Sequence, residues 1–165
     1  RALFFIIKLD QESTMKRRFV IWISILSLLL LFGACTSPKD DLQKNYPITV
    51  NTSELVVFTA PDNFAMISVK EYLDGLVAAG EISYTIEDGM IISLNGTENI
   101  TQVNSGSYWM IYSDLLEKDG VIYADPTYGT YNHNGSTLAS CSYGAESMPV
   151  IAGYTYALVF EEMTW

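Results

Sequence analysis

Ser68-Val69-Lys70-Glu71-Tyr72-Leu73-Asp74-Gly75-Leu76-Val77-Ala78-Ala79-Gly80 runs directly into Glu81-Ile82-Ser83-Tyr84-Thr85-Ile86-Glu87-Asp88-Gly89-Met90-Ile91-Ile92-Ser93-Leu94-Asn95-Gly96. Two hydrophobic periods therefore stand side by side. In the first half, Val69, Tyr72, Leu73, Leu76 and Val77 recur at i, i+3, i+4, i+7 and i+8, which is one stripe of a helix. Ser68 with Glu71 three residues on reads as a capping box, and Gly80 as a left-handed stop. Gly75 in the interior costs about 1 kcal/mol against Ala and is expected to allow close packing on a sheet. In the second half Ile82, Tyr84 and Ile86 alternate with polar residues, Asp88-Gly89 marks a hairpin, and Met90, Ile92 and Leu94 continue on the return strand. Asn95-Gly96 marks a second turn. A helix followed by a hairpin excludes a helical bundle.

Moving outward, residues 48–50 and 54–59 are short β-branched runs around Asn51-Thr52-Ser53. A polar loop is expected from Thr97 to Ser107. Tyr108-Trp109-Met110-Ile111-Tyr112 is apolar on both faces, which predicts a central strand covered from both sides. Asp119-Gly120 turns into Val121-Ile122-Tyr123, and Gly153 precedes a closing strand over residues 154–161 with Tyr156, Leu158 and Phe160 facing one way. Residues 125–146, rich in Tyr, Gly, Asn and Ser, carry no strong period. One main helix on a mixed sheet is an α+β domain, expected over residues 48–165.

The other end of the chain is of a different kind. Met15-Lys16-Arg17-Arg18 precedes about fourteen mostly apolar residues that end in Gly33-Ala34-Cys35, the layout of a bacterial export signal over residues 15–34. Residues 1–14 lie upstream of this better start and are read as an over-extended or truncated frame. Residues 35–47 are polar enough to serve as a tether. Across all 165 residues there are 9 Lys and Arg against 19 Asp and Glu, a net charge of −10. Losing residues 1–34 removes five cations and two carboxylates, leaving four lysines, seventeen carboxylates and a net charge of −13. No arginine remains. Such a surface excludes nucleic acid as a partner, because phosphate neutralisation needs clustered Lys and Arg. It is also repelled by anionic headgroups.

Leu31-Phe32-Gly33-Ala34-Cys35 resembles the lipobox of bacterial lipoproteins, with Phe32 where Leu is common. The resemblance implies that the Cys35 thiol receives diacylglycerol and becomes residue one, placing the chain outside the cytoplasm on a lipid anchor. An uncleaved anchor and a plain signal peptide are the alternatives. The series made of the helix, Ile92-Ser93-Leu94-Asn95-Gly96, Ser107-Tyr108-Trp109-Met110-Ile111-Tyr112-Ser113 and Gly153-Tyr154-Thr155-Tyr156-Ala157-Leu158 resembles the C-terminal domain of transcobalamin and intrinsic factor and its bacterial relatives of unknown function. It covers roughly residues 55–162. It implies a β-grasp-like fold and, as a ligand class, a corrinoid. In the transcobalamins a large helical barrel holds the other face of the corrinoid, and this chain has no room for one.

The residues assemble no catalytic pattern. His133, flanked by Asn132 and Asn134, is expected in a loop, and a pairing with Cys141 is weaker than a solvated histidine and a packed thiol. Asp114, Glu117, Asp119 and Asp125 lack the spacing of a calcium loop, so no metal site is expected. One free cysteine leaves no disulfide. The aromatic residues are the best candidates for a binding role, since flat rings with polar tips suit sugars, peptides or a corrin ring. They are Tyr108, Trp109 and Tyr112 on the central strand and Tyr123, Tyr128, Tyr131 and Tyr143 in or beside the Gly/Asn-rich stretch. The expectation is a non-enzymatic, lipid-anchored surface protein without a resident cofactor, binding a corrinoid-related ligand. The alternative is an adhesion or envelope-assembly module that takes glycan or protein through its Tyr-rich loops.

Overall fold

The structure, a computed structural model, describes residues 46–165. The expected export segment, Cys35 and nearly all of the expected tether lie outside the described residues. The chain order begins β1 (Val50–Asn51), β2 (Leu55–Thr59), β3 (Ile67–Ser68) and the helix α1 (Val69–Ala78). Next come β4 (Tyr84–Glu87), β5 (Met90–Leu94), β6 (Thr97–Glu98), β7 (Ile100–Thr101) and β8 (Ser105–Ser113). After β9 (Glu117–Lys118) and β10 (Val121–Ile122) the chain forms β11 (Ala124–His133), β12 (Ser136–Cys141), β13 (Pro149–Val150) and β14 (Thr155–Thr164). The main sheet runs β1-β2-β14-β8-β12-β11, with β7 added on β8, and a small sheet β4-β5-β6 stands apart. Every pairing among the described residues is antiparallel, where a mixed sheet was expected. The reason is connectivity: short turns join most neighbours, and the one helix among the described residues offers few parallel crossovers.

The helix forms where its signals stand. The Ser68 hydroxyl accepts from the Glu71 N–H (3.1 Å) and the Glu71 carboxylate accepts from the Ser68 N–H (2.8 Å). The N–H groups of Val69 and Lys70 donate to the carbonyls of Met148 and Ala145, so the β13 segment satisfies the rest of that end. At the other end Gly80 takes φ 76°. Val69, Tyr72, Leu73 and Leu76 are fully buried, each large one contributing about 1.5–3 kcal/mol, while Val77 falls on the solvent side at 43% exposure. Gly75 meets not a sheet but the Tyr46 ring, which leaves no room for an added Cβ. Tyr46 in turn packs edge-on against Tyr72 at 5.1 Å, so the last two residues assigned to the tether belong to the domain.

The sheet is buried on both faces. Toward α1, the cross-strand pair Phe58 and Tyr156 stacks at 5.2 Å, and Phe58 stacks on Tyr72 at 4.0 Å. Leu158 and Trp109 extend this core. On the opposite face Val57, Ala157, Val159, Tyr112 and Leu138 form a second, smaller core, with Tyr131 against it. β8 stands between β14 and β12 as expected of a central strand, but β12 reaches only Tyr112 and Ser113, so residues 108–111 are paired on the β14 side alone.

Four two-residue turns share one chemistry. Asp88, Asn95, Asp119 and Asn134 have φ between 49° and 54°, each followed by a glycine between 79° and 82°, as type I′ hairpins require. The fourth corrects the reading of residues 125–146: this stretch is largely the hairpin β11-β12, and His133 ends a strand rather than sitting in a loop. The loop expected from Thr97 to Ser107 likewise holds β6, β7 and the start of β8. In β5 a bulge leaves Ile92 as the extra residue, since Thr85 pairs Ser93 and Ile86 pairs Ile91. The alternation therefore shifts, and Ile91 reaches the core instead of Met90.

Candidate functional site

Asn99 organises the surface where the small sheet meets the large one. Its side-chain Nδ2 donates to the Ile91 carbonyl of β5 (3.0 Å), and its Oδ1 accepts the Trp109 N–H of β8 (3.1 Å). Its own N–H donates to the Ile92 carbonyl, and the Trp109 indole donates to the Thr97 carbonyl at 2.9 Å. One side-chain amide thus bridges two strands as a peptide group would. At the other end of β5, the Gly89 carbonyl accepts from the Ala145 N–H (3.1 Å). Gly144 is required there, because an added Cβ would stand 2.6 Å from that carbonyl.

Between these two fixings lies an open groove of about 310 Å³. On the edge away from β14, β8 pairs with β7 at Gly106 and Ser107 and with β12 at Tyr112 and Ser113. The intervening residues 108–111 have no strand beside them. They form one wall, with Met163 of β14 near them; Gly89, Met90 and Ile91 form the other, and residues 141–144 close the end. No charged residue lines the groove. Carboxylates lie close to its β5 wall: Glu87 pairs across from Met90. A Glu146 carboxylate oxygen lies 3.9 Å from where a Gly89 Cβ would stand. Of the two lysines among the described residues, Lys70 is paired with Asp74 at 2.8 Å and Lys118 stands 4.0 Å from Asp119.

The expected aromatic cluster is divided among three places. Tyr108, Trp109 and Tyr143 line the groove, and Tyr123 packs behind Tyr143 at 5.9 Å. Tyr112 and Tyr131 meet at 5.9 Å in the smaller core, on the face of β8 that Tyr108 and Met110 share and opposite to Trp109. There the Tyr112 hydroxyl donates to Glu161 at 2.5 Å, and burial with that carboxylate holds its pKa well above the usual phenol value. Tyr128 stands alone and exposed in the irregular part of β11. The four tyrosines in or beside the Gly/Asn-rich stretch do not gather at one surface, since Tyr131 alone of them lies in the regular β11-β12 ladder.

His133 and Cys141 stand at opposite ends of the β11-β12 hairpin, where His133 pairs Ser136 and Cys141 pairs Ala124. The Cys141 thiol lines the groove, and burial pushes its pKa up to about 12, so it is neutral and weakly nucleophilic at pH 7. His133 borders a smaller pocket of about 170 Å³ with Thr49, Thr59 and Thr155. Among the described residues no three His, Cys, Asp or Glu side chains gather as metal ligands.

Four groove residues carried no sequence signal of their own: Asn99, Met90, Met110 and Met163. Asn99 reads as one more polar loop residue until β6 and β7 are seen on either side of it. The three methionines share only their adaptable, polarizable side chains, which suit a surface that must fit a partner. No family model, no curated protein and no solved structure matches this chain.

Proposed function

We propose that the chain is a lipid-anchored, extracytoplasmic binding module with no catalytic role, and that the groove between β5 and β8 is its ligand site. The observation that carries this reading is the coincidence of Tyr108, Trp109 and Tyr143 with exposed Met90 around one apolar groove, open where β8 lacks a neighbour. An apolar groove with a few fixed polar groups is the usual form of a binding site. Lipid on Cys35 would hold the domain at the membrane, because a net charge of −13 on the exported chain cannot. A β-grasp-like kinship belongs to the same proposal, supported by one helix in a strand-rich domain among the described residues.

The groove favours the adhesion or assembly reading over the corrinoid. At about 310 Å³ it stands at the lower end of ligand pockets and would take only one edge of a corrin macrocycle. Titration of the full chain in detergent with cobalamin and cobinamide, followed by visible absorbance, is expected to give no saturable change. A saturable change abolished by Tyr143→Ala would reinstate the corrinoid. Labelling with a palmitate analogue is expected to tag the wild type and not Cys35→Ala; label on both would remove the anchor from the proposal.

A further inference from the structure

The smaller core ends in a ring of hydrogen-bonding side chains, and we infer that the pocket they form takes a single neutral sugar ring, at a site separate from the groove. Alternation along four strands builds it. Val57 of β2 and Ala157 of β14 face this core, so Thr59 and Thr155, each two residues away, face the same way. Tyr131 and Leu138 face it from the β11-β12 hairpin. His133 and Ser136, paired across the Asn134-Gly135 turn, continue that face. On each strand an apolar side chain thus gives way to a polar one at the same end of the core. With Thr49, just ahead of β1, and Asn134, these residues surround about 170 Å³ beside the buried Val57 and Leu138. β1 and β11 are the two ends of the main sheet's strand order, so the pocket lies where those ends approach each other.

The lining selects the ligand. No lysine or carboxylate lines the pocket, and both lysines among the described residues stand beside carboxylates elsewhere, so no fixed cation is there to hold an anion. The walls offer instead groups that both donate and accept. The Thr59 and Thr155 hydroxyls lie 3.0 Å apart. One donates to the other, which leaves the pair a spare O–H and free lone pairs. The Asn134 Nδ2 donates to His133 Nε2 (3.0 Å), which leaves His133 Nδ1 as a donor and Asn134 Oδ1 as an acceptor. A sugar hydroxyl likewise donates and accepts, and the C–H face of a sugar suits Val57 and Leu138. The volume lies below that of pockets for drug-sized ligands, so one ring fits and the rest of a glycan would stand in solvent.

His133 is the only histidine of the chain, so its ring C–H resonances report on this pocket alone. The test uses the full chain in octaethylene glycol dodecyl ether micelles, a detergent without a sugar headgroup, titrated with glucose, galactose, mannose and N-acetylglucosamine. At least one is expected to shift the His133 resonances saturably at millimolar concentration, as befits a ligand of one ring. Thr59→Val and Ser136→Ala each remove a hydroxyl from an exposed residue, so both should keep the wild-type thermal transition and weaken binding at least fivefold. Wild-type affinity in both variants overturns the site, as does the absence of any saturable His133 shift. Inorganic phosphate moving His133 at constant pH, where the sugars do not, overturns the neutral ligand. Sugars that shift the Trp109 indole N–H and leave His133 unmoved overturn this inference and leave the groove as the site.

Discussion

Asn99 does with one side chain what a strand does with a peptide, and its removal measures that role. In Asn99→Ala the Trp109 N–H and the Ile91 carbonyl lose their partners in a place where Trp109 is only 6% exposed. Leaving such groups unsatisfied costs about 1–3 kcal/mol. Urea unfolding is expected to show a loss of that size, with Asn104→Ala, in an exposed turn, near wild type. A second residue-scale prediction concerns Cys141. Burial raises its thiol pKa to about 12, so the folded state favours the protonated thiol. The stability this contributes is complete below the unfolded thiol value, near 8.5, and is lost as pH rises through 12. Alkylation at pH 8 is accordingly expected to be slow in the folded protein and to become fast on adding urea. Rapid labelling of the native protein would contradict the raised thiol pKa.

At the scale of elements, α1 and three of the four type I′ turns were readable because their signals are local: a cap, a stripe, or a pair of residues that tolerate positive φ. The fourth, Asn134-Gly135, has the same chemistry, but its flanking strands bury little beyond Leu138, Ala139 and the partly covered Tyr131. Without alternation to frame it, that turn read as one more loop. The candidate site was half legible for a related reason. Tyr108 and Trp109 announce themselves by type, whereas Asn99 and Gly144 gain their roles only when β5 is brought against β8. Gly75 shows the same limit inside an element, since no local rule places the Tyr46 ring on it. Ala at position 75 should stabilise a helix by about 1 kcal/mol. Here its Cβ displaces Tyr46 from the edge-on contacts with Tyr72 and Phe64. Gly75→Ala is therefore expected to be neutral or destabilising in wild type and stabilising in the Tyr46→Ala background. A double-mutant cycle on thermal unfolding checks the change of sign; the same effect in both backgrounds would remove Tyr46 as its cause.

For the whole molecule, charge and burial set opposite pH limits. Residues 35–165 carry four lysines against seventeen carboxylates. Self-repulsion on that scale weakens the compact state, and raising salt from 10 to 150 mM is expected to raise Tm by screening it. Lowering pH relieves the same repulsion. Against that relief stands Asp74, held below the usual carboxylate range by hydrogen bonds from Lys70 and Tyr84, whose contribution is present above its unfolded value and fades as pH falls. One exposed pair is a small opposing effect, so mild acidification is expected to leave stability unchanged or higher. The alkaline limit is steeper. Burial raises the hydroxyls of Tyr72, Tyr84, Tyr112 and Tyr156 above the ordinary phenol value, with Asp74 and Glu161 adding to the rise at Tyr84 and Tyr112. A raised folded value means stability that is complete below pH 10 and is withdrawn as pH climbs beyond it. Absorbance titration is then expected to show a step above the ordinary phenol value, from these four rings, that coincides with loss of the far-ultraviolet circular dichroism of the sheet. A single step near pH 10 with the sheet signal intact would mean that the two cores do not enclose these rings.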